Sequence, residues 1–134
     1  MSDSSILIGL IISNDQWHNK ALNLLNLIEN NRIFITETIL TETLNSLDNM
    51  DGKQCKMIYN EIIESHNIIL IKKYYFYNKA SDIFLKYDGT IGFSDCTIIQ
   101  VMFEHNIQFI LSFDNDFDKV ENITKIYDNS FLNY

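Results

Sequence analysis

The chain has 134 residues, 46% hydrophobic and 13% aromatic, which suits one domain around one core, residues 1–134. Its formal net charge is −8, and this excludes a protein that grips nucleic acid through a broad basic face. A nuclease stays open, because bound divalent ions invert the local field. Apolar runs are only a handful of residues long, so no membrane span is expected, and no basic segment before an apolar core marks a secretory signal. Cys55 and Cys96 lie far apart and read as free thiols of a reducing cytoplasm, with Cys96 packed against the core. Arg32 is the single arginine, and proline is absent.

In chain order, Asp3 opens "DSSILIGLI", where Ile6, Leu7, Leu10 and Ile11 form a helical stripe. Asp3 therefore stands just before a helix. A second helix is expected over 16–30, led by "DQWHNKA", whose His18 reads as a packing or hydrogen-bonding residue near the first helix. "IFIT" predicts a strand at 33–36 and the next segment a helix at 38–48. Thr36 ends that strand. Glu42 lies one to two turns into the helix, and Glu37 at its start reads as a dipole-compensating acid.

"LDNMDGK" is a turn before a helix at 53–65, and "IILI" predicts a strand at 68–71. "KYYFYNKASDIFLKY" overlaps a helix at 76–87, and its aromatics at helical spacing read mainly as core or dimer contact. The helix at 95–105 carries Ile98, Ile99, Met102 and Phe103 as its apolar stripe. Asp95 continues that buried face at the helix N-terminus, with Ser94 as the expected N-cap. A carboxylate on an apolar face needs a partner, and the chain offers few cations, so a metal is the attractive candidate. His66 and His105 fall at helix ends and are assigned no chemistry.

"FILSFDNDFDKV" predicts a strand at 109–113 followed by Asp114, Asp116 and Asp118 at alternate positions. The spacing imitates an EF-hand loop, but the glycine slot holds Lys119 and the closing glutamate position holds Lys125. The acids are then either a solvated turn or part of a site completed elsewhere. A last strand is expected at 123–127. Strands alternating with helices imply a parallel sheet covered on both faces, with ligands at the carboxyl ends of the strands.

Taken together and in this order, "DSSILIGLI", "DQWHNKA", "ITETILTETLNSL", "GFSDCTIIQVMFEHN" and "FILSFDNDFDKV" make the chain resemble a PIN domain of the VapC type, the ribonuclease toxins of toxin–antitoxin pairs. No single piece is specific. The resemblance implies a Rossmann-like α/β fold, Mg²⁺ or Mn²⁺ binding, hydrolysis of RNA, a VapB-type antitoxin and a homodimer. It assigns catalysis to Asp3, Glu42, Asp95 and Asp114, with Asp3, Asp95 and Asp114 as metal ligands. Ser112 fills the hydroxyl position of its Thr/Ser-x-Asp motif. Asp116 is a weaker neighbour, and Asp118 is read as surface. One departure stands out: only Met1 and Ser2 precede Asp3, where the family carries a central strand. Either that strand is drastically shortened here or it begins upstream of this sequence.

The implied chemistry uses a water on the ion as nucleophile and leaves a 5′-phosphate and a 3′-hydroxyl. The rival from another class is a noncatalytic interaction domain on the same fold. A response-regulator receiver ranks lower, since Lys119 follows an acid cluster instead of ending a strand.

Overall fold

The structure is a computed structural model that describes residues 1–72 and 74–133. Helix α1 (Ser4–Ile11) leads into two short helices, α2 (His18–Leu22) and α3 (Leu25–Glu29). Strand β1 (Ile33–Thr36) runs directly into α4 (Glu37–Asn45); α5 (Gly52–Ser65) runs directly into β2 (His66–Ile69). Next come α6 (Phe76–Lys86), α7 (Phe93–Glu104) and β3 (Phe109–Leu111). A 3₁₀ turn at Asn115–Lys119, β4 (Thr124–Ile126) and a second 3₁₀ turn complete the chain.

The strands pair as two parallel couples, β1 with β2 and β3 with β4. The first three residues join them. Ser2 N–H donates to the Phe34 carbonyl at 2.9 Å on one side. On the other side, Leu111 N–H donates to Met1 O at 2.8 Å and Asp3 N–H to Leu111 O at 3.1 Å, with Ser2 bridging Leu111 in parallel. The order is therefore β2, β1, the N-terminal segment, β3, β4. Between β1 and β3 the segment Met1–Asp3 makes one parallel bridge, and that bridge delivers Asp3 to the sheet's carboxyl end.

Adjacent residues of β3 point to opposite faces and enter different cores. Ile110 packs in the larger core with Ile35, Ile39, Ile98, Ile99 and Met102. Leu111 packs in the smaller one with Ile6, Ala21, Leu24 and Ile126. Cys96 is fully buried in the larger core, as expected, and both cysteines are free.

Several boundaries depart from expectation. The helix expected at 16–30 breaks at Asn23 and Leu24, where Leu24 N–H bonds to Ala21 O three residues back and tightens the turn. The strand expected at 68–71 begins at His66, because β1 pairs Ile33 with His66 and uses the residues right after α5. The strand expected at 109–113 ends at Leu111. Helix α7 starts at Phe93 with Gly92 as N-cap, so Ser94 lies inside the helix and caps nothing. From the aromatic stretch, Phe76 is buried and Ile83 and Tyr87 pack against the core, whereas Tyr74, Tyr75 and Tyr77 are exposed. Lys73, which opens that stretch, lies outside the described residues. Among the described residues no helix is long and apolar enough to cross a membrane.

Candidate metal centre

The first acid is fixed by three hydroxyl and amide donors. Asp3 is the N-cap of α1: its Oδ1 accepts from Ser5 N–H at 3.0 Å and from Ser5 Oγ–H at 2.6 Å. Its Oδ2 accepts a short hydrogen bond from Ser112. Ser112 Oγ in turn accepts from Asp114 N–H at 2.9 Å, and Ser5 Oγ accepts from Phe113 N–H at 3.1 Å. Two serines thus tie the end of the N-terminal segment to the end of β3. The side chain of Asp3 is buried, and loss of hydration raises its pKa to about 6 against these hydrogen bonds.

Glu42 reaches the same place from α4, accepting from Ser4 Oγ–H at 2.9 Å. Thr36, last residue of β1, caps α4 by accepting from Ile39 N–H at 3.2 Å, which sets where that helix begins. Glu37 is spent on structure, as its Oε1 accepts from Ile71 N–H at 3.1 Å.

Asp95 lies in the first turn of α7 and is half-buried. Its pKa is pushed up to about 7, first by burial and then by the carboxylates of Asp114, Asp3, Glu42 and Asp116. Asp114 caps the 3₁₀ turn by accepting from Asp116 N–H at 2.9 Å, which fixes the Asp114 carboxylate against that turn. Asp95, Asp114 and Asp116 each offer a carboxylate oxygen within 4.8 Å of the others. Asp118 points elsewhere and pairs with Lys125 at 2.7 Å.

The structure thus brings Asp95 and Asp114 together with Asp116, the acid that ranked as a weaker neighbour in sequence. Asp3 and Glu42 flank this group closely enough to act on Asp95. The signal for Asp116 was present in the D-x-D spacing, but only the 3₁₀ turn shows that 114 and 116 converge. Ser4 and Ser5 were missed as supports of the acids; their hydroxyls follow Asp3 directly in the sequence.

The "DQWHNKA" segment shapes the rim. Trp17 stacks on Phe113, ring centroids 5.0 Å apart, just before Asp114. His18 Nδ1 donates to the Gly9 carbonyl at 2.6 Å, the hydrogen-bonding role expected of it. A Cβ at Gly9 would stand 3.1 Å from the Ala21 Cβ, so glycine lets α1 and α2 approach.

Oxygen donors of like charge, half-buried and close together, suit a hard divalent cation. Parallel strands with such a cluster at their carboxyl ends define the class: an α/β domain built around a carboxylate cluster. The chain belongs to the PIN-domain family, whose profile matches residues 1–123. Among solved structures, it is similar to Mycobacterium tuberculosis VapC20, a sarcin–ricin loop cleaving toxin, with 21% identity, a TM-score of 0.74, and coverage of 88% of this chain and 92% of that one. It is also similar to Rickettsia felis VapBC2, solved bound to a DNA fragment from its promoter, with 18% identity, a TM-score of 0.69, and coverage of 94% and 96%. The comparison with curated proteins finds no match.

Proposed function

We propose that this chain is a Mg²⁺- or Mn²⁺-dependent endoribonuclease of the VapC kind, a cytoplasmic toxin held in check by a VapB-type antitoxin. The observation that carries the reading is the setting of Asp95: a half-buried carboxyl faced by four other carboxylates, raised to about 7. Such a group is unfavourable in an isolated fold and favourable around a cation. Family membership and the toxin neighbours support the same reading.

In this reading Asp3, Asp95 and Asp114 hold the principal ion, while Glu42 and Asp116 bind through water or complete a second position. The bound ion would supply charge stabilisation to the phosphodiester and an activated water. The chain's own work is positional. Ser5 and Ser112 fix Asp3; Ser112 also holds the Asp114 backbone; Ser4 steers Glu42. The antitoxin would place a basic side chain among these acids, and a homodimer is the expected assembly.

Incubating a structured RNA with Mn²⁺ and the wild type, Asp95→Asn and Asp118→Asn tests this. Wild type and Asp118→Asn should cleave, and Asp95→Asn should lose cleavage while circular dichroism stays unchanged. Cleavage by Asp95→Asn at the wild-type rate would overturn the assignment. Inert wild type with Mn²⁺ bound would favour the noncatalytic interaction domain.

A further inference from the structure

Asp116 already has a cation. Lys119 Nζ lies 2.7 Å from Asp116 Oδ1, and it also donates to the Thr90 carbonyl at 3.3 Å. In a 3₁₀ turn residues three apart eclipse, so the backbone of Asn115–Lys119 sets this ammonium over this carboxylate. Thr90, in the loop between α6 and α7, holds the ammonium from the other side. A partly exposed pair of this kind contributes little to stability. Its position is what matters, because Asp116 belongs to the group whose ligand oxygens lie within 4.8 Å of one another.

The neighbouring lysine shows the division of labour. Lys125 pairs with Asp118 at 2.7 Å and Asn115 at 3.0 Å, away from that group. Lys125 therefore answers the surface acid and Lys119 the site acid. Among the described residues, no lysine, arginine or histidine forms an ion pair with Asp3, Glu42, Asp95 or Asp114. An ion held by Asp95 and Asp114 can coexist with the Lys119–Asp116 pair. An ion that also claims Asp116 must displace the ammonium, or sit against a like charge.

We infer that Lys119 is a resident cation in the second ion position: it lets the centre take one divalent ion readily and makes a second bind only by releasing Asp116. This rests on the metal-centre reading above. The inference concerns ion number, which cleavage alone does not report.

Mn²⁺ titration of the full chain without RNA, followed by calorimetry and by the electron paramagnetic resonance signal of free Mn²⁺, tests it. The variants are Lys119→Met, Lys119→Gln, Lys119→Arg and, as a control at the β4 lysine that pairs with the same turn, Lys125→Met. Wild type, Lys119→Arg and Lys125→Met should show one tight ion and a second that is much weaker. Lys119→Met and Lys119→Gln should tighten that second ion by about tenfold or more. Folding of each variant is checked by circular dichroism, and Lys119 is exposed enough for either neutral residue to be accommodated. If both neutral variants match wild type in ion number and affinity, the inference fails while the metal centre stands. If wild type binds no Mn²⁺, the metal-centre reading fails and takes the inference with it.

Discussion

Burial and four neighbouring carboxylates hold the Asp95 carboxyl at about 7, well above its ordinary 3.8. Between those two values the folded chain keeps the proton and the unfolded chain releases it. Asp95 therefore contributes stability that is complete below its ordinary value and lost as pH rises through about 7. Asp3, raised to about 6, behaves the same way. The Met1 amine, lowered by burial to about 6, and His66, lowered by burial, act in the opposite sense. The difference between two proteins isolates Asp95. In EDTA, Asp95→Asn is predicted to gain on wild type in melting temperature as pH rises from about 5 to about 8. Parallel curves would remove the electrostatic account of this residue. Asp95 was legible in sequence because it continues an apolar stripe, a pattern that burial of the helix explains. Asp116 was less so, since the residues after β3 read only as an acidic turn of open geometry, and it is the 3₁₀ turn capped by Asp114 that brings its carboxylate to those of Asp114 and Asp95.

At the scale of elements, the site depends on where helices start. Thr36 closes β1 and opens α4, and its buried hydroxyl receives Ile39 N–H. Thr36→Ala is predicted to cost about 0.5–2 kcal/mol in urea unfolding, the range for a lost N-cap. It should also reduce cleavage, because α4 carries Glu42 to Ser4. A variant as stable as wild type would show that packing alone sets the start of α4. The strand at 33–36 was readable because "IFIT" is a short β-branched run followed at once by a helix period. The break after Leu22 was not readable. The apolar spacing continues through it, so Leu24 remains buried although the helical ladder is interrupted. The frame of β2 also escaped. "IILI" is the most apolar run there, but pairing with β1 is decided by the connection from α5, which starts the strand at His66.

At the scale of the molecule, two pairs of strands become one surface through Met1–Asp3. A three-residue link has no periodicity to detect, so the sheet order could be anticipated from the family resemblance alone and not from the residues. Ser2 is buried and its N–H serves the Phe34 carbonyl. Ser2→Pro removes that donor and is predicted to cost about 1–3 kcal/mol, the penalty for a buried carbonyl left unsatisfied. Urea unfolding measures it, and a cost near zero would mean the link to β1 is not structural. The same link carries Asp3 to the acids from α4, α7 and the 3₁₀ turn, so folding itself assembles the repulsive cluster.

The most direct test of the whole account is therefore thermal unfolding of wild type and Asp95→Asn, each in EDTA and in millimolar Mn²⁺, at a pH above about 7 where the cluster is ionised. Mn²⁺ is predicted to raise the wild-type melting temperature clearly. Asp95→Asn should rise much less, from an EDTA midpoint equal to or above that of wild type. Identical wild-type midpoints with and without Mn²⁺ would contradict the claim that these carboxylates form a metal centre.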